Sequence, residues 1–332
     1  MIPLRCPPVA TGLVLGELLD LALGDPSRCH PVAAFGRCAG GVESRLYADS
    51  RFRGACFTVA CTGSIAALGA LAQRTVRRRR DRQTLLIALS AWTVLGGASL
   101  GQAADRVATS LDRRDLAGAR RNLRHLCARD SRALEAPELA RASVESVAEN
   151  TSDAVVAPLL WGAVFGVPGL LCYRAVNTLD AMVGYRSARY RRFGWAAARV
   201  DDAVNLGPAR VTAALTVLLA PLAGGDARGA LRAWRRDGAQ HPSPNAGCCE
   251  AAFAGALGLG LGGLNTYDGY VEDRPRLGDG PTPAVADIRR AVVLSRVVGA
   301  GATVVAAGIA TALHPRTSDD APRPRGAGWA RR

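Results

Sequence analysis

Carboxylate and amide side chains gather in three short motifs spaced along about sixty residues of the chain. The motifs are Glu149, Asn150 and Asp153; Asn177 and Asp180; and Asp201, Asp202 and Asn205. Acids and amides that border apolar stretches are costly to place unless a metal ion, an arginine or a polar substrate accompanies them. We therefore predict one catalytic site from all three motifs. Its expected ligands for a divalent metal ion are Asp153, Asp180, Asp201 and Asp202.

Arginine is the only source of positive charge apart from histidine, because the chain contains no lysine and carries a net charge of +14. A P-loop lysine and a Schiff-base lysine are thereby excluded. Residues 174–210 mix arginine with carboxylates, which suits Mg²⁺ and phosphate; a solvated, salt-bridged helix face is the alternative. The basic excess lacks the aromatic interleaving and the motifs of nucleic-acid binding, so no nucleic-acid partner is expected.

Two loops stiffened by proline display histidines beside polar groups. The first, residues 24–31, carries Asp25 and His30, and the second, residues 241–250, carries His241 near its start. A rigid loop loses little entropy when it binds a ligand. We predict that both loops converge on the bound substrate, whereas two ordinary helix-boundary turns are the alternative.

Long uncharged runs determine the fold class. Residues 54–73, 83–104, 154–173 and 297–315 each contain at least 19 positions without Asp, Glu, Lys or Arg. About 20 apolar residues span a hydrocarbon core of roughly 30 Å. We predict an all-α, polytopic integral membrane protein with polar motif-bearing loops; a soluble protein with buried helices is the alternative.

A single helical membrane domain is expected over residues 1–313, followed by a disordered Pro/Arg-rich tail at 314–332. The inserted polar segments are 105–150, 174–210, 226–250 and 268–290. The shorter apolar runs 211–225 and 251–267 suit tilted spans, re-entrant pieces or buried helices. The run Arg77–Arg80 between two apolar segments predicts a cytoplasmic loop.

Local patterns predict several further details. Glu145 and Glu149 share a helix face, Thr151 or Ser152 caps a new helix near Asp153, and prolines kink that helix. Glu17 and Asp20, three residues apart, form a face that points into the protein. The glycines at 258–263 match a dinucleotide-binding pattern, but without a surrounding βαβ unit they favour close helix packing.

Longer stretches resemble the adenosylcobinamide-phosphate synthase family of cobalamin biosynthesis, the CobD/CbiB proteins. The matching stretches are GDPSRCHPV at 24–32, ESVAENTSDAVVAPLLW at 145–161, YRAVNTLDAMVGYRSARYRRFGWAAARVDD at 173–202, HPSPNAGCCEAAFAGALG at 241–258 and LGGLNTYDGYVEDRPRLGDG at 261–280. Together they cover most of residues 12–313. Cys248-Cys249 departs from the family, which usually has an aromatic residue and a proline there.

The resemblance implies a multi-pass enzyme of the cell membrane. Its implied reaction joins (R)-1-aminopropan-2-ol, or its O-phosphate, to the free propionate carboxylate of adenosylcobyric acid, with Mg²⁺ and with ATP as co-substrate. The corrinoid is then a substrate, and membrane lipid and other membrane enzymes of cobalamin assembly are the expected partners. We assign substrate binding to Asp25, His30, Arg174, Tyr185, Arg186, His241, Ser243, Asn245, Glu250 and Asn265.

Two other functions fit the residues alone. A Mg²⁺-dependent membrane transferase acting on a diphosphate or lipid-phosphate substrate would use Asn and Asp clusters at helix ends equally well. An ion-coupled transporter would line its path with intramembrane acids. Polar residues placed in long rigid loops, as expected here, argue against transport.

Overall fold

The computed structural model describes residues 7–25, 30–127, 129–185, 187–267 and 270–314. Helices over these residues are α1 (Pro8–Leu23), α2 (Pro31–Leu46), α3 (Arg51–Val76), α4 (Arg80–Val94), α5 (Gly97–Asp112), α6 (Leu116–Leu123), α7 (Ala136–Thr151), α8 (Ala157–Phe165), α9 (Val167–Val183), α10 (Tyr190–Phe193), α11 (Trp195–Leu219), α12 (Ala227–Asp237), α13 (Ala246–Leu257) and α14 (Val285–Leu313). A π-helical turn (Ser152–Val156), a 3₁₀ turn (Ala220–Ala223) and two strands, β1 (Leu261–Tyr267) and β2 (Tyr270–Leu277), complete them.

The helical membrane fold is confirmed. Four helical stretches are long and apolar enough to cross a bilayer, namely Arg51–Val76, Arg80–Asp112, Trp195–Ala223 and Val285–Leu313. Large apolar side chains on α3 remain exposed, including Phe52 at 76% and Val59 at 69%. Exposed apolar side chains on a helix of this length suit contact with lipid.

One predicted span is wrong. Residues 154–173 are not among the four candidate spans: α8 ends at Phe165, Gly166 has a left-handed φ of 69°, and α9 begins at Val167. The span 195–223 takes its place among the four candidates. The sequence did not predict a span over all of 195–223, because Asp201 and Asp202 interrupt its uncharged run. In the structure both aspartates lie inside α11 rather than in a loop before it.

The end of the apolar run 251–267 and part of the polar segment expected at 268–290 pair as an antiparallel hairpin of β1 and β2. The interpretation of residues 258–263 as a helix-packing segment is also wrong. α13 stops at Gly258, which is left-handed, and Gly262 and Gly263 have φ values of 86° and 93° inside β1. A side chain at Gly262 would put Cβ 2.1 Å from the Pro275 carbonyl oxygen, so this glycine permits the two strands to approach.

A π-helical turn, not a capped helix start, follows α7. The backbone remains helical from Thr151 through Ser152 into α8, so the predicted cap at these two residues is wrong. π-helical turns insert one extra residue per turn and recur at functional sites. Here the turn contains Asp153, and it therefore changes the direction of this carboxylate relative to that of a regular α-helix.

Close packing of small residues joins α1 to α4. A Cβ added to Gly16 would lie 2.4 Å from the Cβ of Ala91, so only glycine allows this separation. Small residues at such contacts are typical of helices that pack in membranes. Glu17 and Asp20 on α1 are 6% and 0% exposed, which confirms that their shared face points into the protein.

Antiparallel packing of α3 and α9 sets the two ends of the molecule. The Gln73 side chain, near the end of α3, accepts a hydrogen bond from the Val167 backbone N–H at the start of α9, at 2.7 Å. Asp180 lies 13 residues further along α9, about 20 Å at 1.5 Å per residue. The Arg77–Arg80 turn, which follows α3, is therefore at the end of this helix pair opposite to Asp180.

Candidate active site

Three helical segments bring the predicted carboxylates around one cavity of about 240 Å³. We call it the acidic cavity. Its lining residues are Glu149, Ser152, Asp153, Asp180, Asp201, Asp202, Asn205, Ala209, Ser243, Asn245, Ala246 and Cys249. As the structure describes this lining, it contains no basic side chain. The carboxylates lie on helices rather than on the rigid loops expected from the sequence, because α9 and α11 extend through the polar motifs.

A hydrogen-bonded chain orients Asp201. The Asn205 amide donates to Asp201 Oδ2 at 3.0 Å, and the Tyr173 hydroxyl donates to Asn205 Oδ1 at 2.9 Å. The same hydroxyl lies 3.2 Å from the Asp153 carbonyl oxygen. Tyr173 is buried, and our sequence analysis missed it. Its position one helical turn before Asn177 was the available signal.

Burial of several carboxylates together raises their pKa values. Desolvation raises the pKa of Asp153 well above its usual range, and Asp201 and Glu149 add to the effect. Desolvation, with Asp202 and Glu149, raises the pKa of Asp180 to about 6. A cation bound among these carboxylates would offset their mutual repulsion. It would therefore favour their ionised forms.

A second cavity of about 370 Å³ adjoins the first. We call it the mixed cavity, because arginines as well as acids line it. The polar residues of its lining are Arg129, Glu145, Ser146, Glu149, Asn150, Asp153, Asn177, Asp180, Tyr185, Glu250 and Arg274. Glu149, Asp153 and Asp180 line both cavities, so they form a shared wall. Glu145 and Glu149 line the same cavity, as expected for residues on one helix face.

A buried ionic network that the sequence did not reveal supports the mixed cavity. Arg129 Nη2 is 2.7 Å from Glu145 Oε2, and Arg141 Nη1 is 3.3 Å from Glu145 Oε1, with all three side chains at most 8% exposed. The Gly262 backbone N–H donates to Glu145 Oε1 at 2.8 Å, and Arg141 Nη2 donates to the Leu264 carbonyl oxygen at 2.9 Å. Helix α7 thus holds the base of the hairpin.

Glu250, on α13, faces His241 and the hairpin arginine. His241 Nε2 and Arg274 Nη1 each lie 3.9 Å from Glu250 Oε1, beyond hydrogen-bond distance. Arg274 also contacts Glu272 at 3.0 Å. Desolvation, reinforced by Glu145 and Glu149, raises the pKa of Glu250 well above its usual range.

The other histidine loop lies against different residues. His30 Nδ1 accepts a hydrogen bond from the Val32 backbone N–H at 3.2 Å and so caps α2, while its Nε2 is 4.0 Å from Asp25 Oδ2. Neither His30 nor Asp25 belongs to the lining of the acidic or the mixed cavity as the structure describes it. Convergence of His30 and His241 on one substrate stays a prediction.

Arg174 connects these two regions. It lines a cavity of about 180 Å³ together with Pro31 and Phe35, and its positive charge counteracts the raised pKa of Asp153. Arg174 thus lies close to the start of α2 and acts electrostatically on Asp153 of the acidic cavity.

The remaining predicted residues have distinct places. Ser243 and Asn245 line the acidic cavity, and the Asn245 amide donates to the Asp202 carbonyl oxygen at 2.8 Å. Tyr185 lines the mixed cavity, and Asn265 is buried on β1. Arg186 and residues 315–332 of the expected tail lie outside the described residues.

The acidic cavity suits a magnesium ion held by few protein ligands. Asp201 Oδ1 is buried and makes no hydrogen bond within the described chain. Among the described residues, no three His, Cys, Asp or Glu side chains converge into a preformed metal cage. Mg²⁺ is commonly bound by one or two carboxylates with phosphate oxygens and water. The donors present fit that mode, while a metal site using all four aspartates stays a prediction.

Comparisons with known proteins agree on one family. The family model described as CobD/Cbib protein matches residues 13–295. The cobalamin biosynthesis protein CobD of Mycobacterium tuberculosis (strain H37Rv) is 54% identical over 297 residues, which cover 90% of this chain and 94% of the relative. CobD of Geobacter metallireducens is 46% identical, covering 83% and 88%, and CobD of Rhodobacter capsulatus is 40% identical, covering 89% and 96%. No solved structure matches the chain.

Proposed function

Since the chain belongs to the CobD/Cbib family of adenosylcobinamide-phosphate synthases, amide-forming enzymes of cobalamin biosynthesis, we propose that its two adjoining cavities form the amide bond with ATP. The acid is adenosylcobyric acid, and the amine is (R)-1-aminopropan-2-ol or its O-phosphate. The observation that carries the proposal is the shared wall of Glu149, Asp153 and Asp180 between the acidic and mixed cavities.

The chemistry requires two balanced steps. An oxygen of the substrate carboxylate attacks the γ-phosphorus of ATP, ADP leaves, and an acyl phosphate forms. The amine nitrogen then attacks the acyl carbon, inorganic phosphate leaves, and the nitrogen loses a proton. A carboxylate of the shared wall, Glu149 or Asp180, is suited to take this proton, because a raised pKa brings a carboxylate closer to neutral pH.

The acidic cavity is suited to the amine and to the magnesium ion. An ammonium group gains from surrounding carboxylates, and a neighbouring aspartate receives the proton that activates it. Asp201, oriented by Asn205 and Tyr173, and Asp153 would hold Mg²⁺. When bound, the ion would neutralise charge on the phosphate oxygens and so stabilise ADP as the leaving group.

The size of the cavities limits how the corrinoid binds. Pockets of 300–1,000 Å³ enclose drug-sized ligands. The mixed cavity, at about 370 Å³, is at the lower end of that range, and a corrinoid is larger than such ligands. In our proposal the propionate arm alone enters the cavity, while the ring remains at the surface.

The proposal includes the cell membrane as the location. Four candidate spans support a multi-pass membrane protein. Membrane lipid is then a constant neighbour, and other membrane enzymes of cobalamin assembly are candidate partners because they share its substrates.

A defined reconstitution tests the function. Purified protein in lipid nanodiscs is given adenosylcobyric acid, MgATP and either amine, and the amide product and ADP are quantified by mass spectrometry. We expect product and ADP in equal amounts, and at least a hundredfold loss for Asp180→Asn and for Asp202→Asn with membrane insertion intact. Arg235→Gln, on an exposed face of α12, is the matched surface control. Wild-type protein that forms no amide with either amine, or forms it without ATP, would contradict the proposal.

A further inference from the structure

We infer that Glu250, His241 and Arg274 form a subsite for a carboxylic acid at the wall of the mixed cavity. Glu250 and Arg274 line that cavity, and His241 Nε2 lies next to Glu250, 3.9 Å from its Oε1. The inference rests on the proposed function for the identity of that acid, which would be the free propionate of the corrinoid. The subsite would hold the acyl group next to the shared wall, on whose other side the amine binds.

Glu250 is the first observation that points to a ligand. Its side chain is 1% exposed in a residue that lines the mixed cavity, and neither carboxylate oxygen makes a hydrogen bond within the described residues. Buried polar groups in native proteins almost always have a partner, and an exception calls for a bound water, ion or ligand. The geometry therefore leaves a position for a polar group beside Glu250.

His241 presents a donor to the same position. His241 Nδ1 lies 3.0 Å from the Ser243 backbone N–H and 3.4 Å from the Ser243 carbonyl oxygen, and the shorter contact assigns the lone pair to Nδ1. Burial, together with the charge of Arg274, lowers the pKa of His241, which keeps the ring neutral. A neutral imidazole that accepts at Nδ1 carries its proton at Nε2. His241 Nε2 lies 3.9 Å from Glu250 Oε1, and the His241 side chain is 2% exposed.

The charge around the subsite selects a carboxylate rather than a phosphate. Burial favours the neutral, protonated form of Glu250, which can donate one hydrogen bond. With His241 Nε2–H and the Arg274 guanidinium, three donors then face a planar acceptor. Glu145 and Glu149 act on Glu250 electrostatically and would repel a dianion more strongly than a monoanion. One negative charge with two acceptor oxygens is the best match.

The hairpin contributes Arg274 to the subsite, and Glu145 of α7 binds the hairpin at Gly262. Arg274 lies on β2, opposite Gly263 of β1, whose neighbour Gly262 is bound by Glu145. Asn265, also on β1, is 1% exposed, and its amide atoms make no hydrogen bond among the described residues. A second buried polar side chain thus lies on the same hairpin as Arg274.

Binding measured without chemistry tests the subsite. Adenosylcobyric acid is titrated into nanodisc-embedded protein with EDTA and without ATP, and its dissociation constant is compared with that of adenosylcobinamide, which lacks the free acid. We expect the acid to bind at least tenfold more weakly to Glu250→Leu and His241→Leu than to wild type. Glu250→Gln, whose amide can donate as a neutral acid does, should recover part of the loss. Glu135→Gln, at an exposed helix cap, is the control.

The outcomes separate the subsite from the function. Wild-type affinity in Glu250→Leu, Glu250→Gln and His241→Leu would overturn the subsite while leaving amide formation intact. An equal loss of affinity for adenosylcobinamide would also overturn it, because that loss would not depend on the acid. Wild-type protein that does not bind adenosylcobyric acid would instead overturn the proposed function. Thermal unfolding of each variant identifies loss of fold. Where the leucine variants do not fold, Glu250→Gln and His241→Gln carry the test: both should bind the acid more weakly than wild type, and wild-type affinity in both would overturn the subsite.

Discussion

Removal of one hydroxyl, in Tyr173→Phe, should weaken catalysis by loosening Asp201. The Tyr173 hydroxyl is the donor to Asn205 Oδ1, at 2.9 Å, and Asn205 is 1% exposed. Without the Tyr173 hydroxyl, Asn205 Oδ1 is a buried acceptor that has lost this donor. Such a loss lowers the free energy of unfolding by about 1–3 kcal/mol. The Asn205 amide is then free to turn, and its 3.0 Å hydrogen bond to Asp201 Oδ2 is no longer fixed.

The expected kinetic effect follows from this geometry. Loss of a partner that orients a metal or catalytic ligand typically costs 10–100-fold in metal affinity or activity. We therefore expect Tyr173→Phe to lower kcat/KM by about that factor and to raise the Mg²⁺ concentration needed for half-maximal activity. The assay is amide formation in nanodiscs across a Mg²⁺ titration.

A matched variant isolates the effect. Tyr190→Phe also removes a hydroxyl that donates to a carboxylate, Glu43, at 2.9 Å, but Glu43 belongs to neither the acidic nor the mixed cavity as described. We expect its kcat/KM to stay within about twofold of wild type, as is usual for substitutions away from a site. Equal kcat/KM and equal Mg²⁺ dependence for the two variants would refute the role of Tyr173.

Three further predictions concern stability, capping and orientation. Glu145→Gln should lower the free energy of unfolding by about 3–5 kcal/mol, because it leaves buried arginines without their counterion; chemical denaturation measures this, and a loss below 1 kcal/mol would contradict it. His30→Ala should raise KM for a substrate or lower kcat, because the first histidine loop is predicted to contact the bound substrate; a lower melting temperature from loss of the α2 cap, with KM and kcat within twofold of wild type, would contradict that contact. Gln replacements at Arg77–Arg80 should leave the specific activity of inserted protein unchanged, because the run lies at the end of α3 and α9 opposite to Asp180. A reporter fused at Arg79 should read extracytoplasmic, because ATP is cytoplasmic and Asp180 lies at the opposite end of α3 and α9; a cytoplasmic reading would argue against ATP use.

That last expectation is opposite to the cytoplasmic loop that the arginine run predicts, and the reporter decides between the two. The positive-inside bias was applied to Arg77–Arg80 alone, without the arginines at the other end of the same helices. The structure puts Arg51 at that other end, over the Trp195 ring at 5.4 Å, together with Arg189 and Arg192. Charge at both ends weakens the bias, and the position of the cavities then decides the orientation.

Local periodicity predicted much of the site. Glu145 and Glu149 are four residues apart, as are Asp201 and Asn205, and these spacings place side chains on one helix face regardless of tertiary structure. Long uncharged runs likewise predicted α3 and α14, since bilayer thickness sets their length.

Long-range contacts accounted for what the sequence left out. The partner of Glu145 at Gly262 is 117 residues away, and no local pattern encodes such a pair. The hairpin escaped notice because the left-handed glycines 258, 262 and 263 resemble a small-residue helix face when only composition is considered. Asp201 and Asp202 led to the prediction of a polar segment where the structure has a membrane-length helix. The acidic cavity that accommodates these carboxylates exists only in the folded chain, so the sequence did not reveal it.

The contact between Glu145 and Gly262 also bears on how the protein is made. A growing chain inserts its early helices before the hairpin is synthesised. Glu145, Arg129 and Arg141 are therefore made more than a hundred residues before the Gly262 N–H that Glu145 binds. At ribosomal speeds of about 5–20 residues per second, an interval of 117 residues lasts about 6–23 seconds. During biogenesis a half-built polar centre is therefore open to water or to insertion factors. Substitutions at Gly262 should accordingly lower the yield of membrane-inserted protein more than they disturb molecules that have already folded.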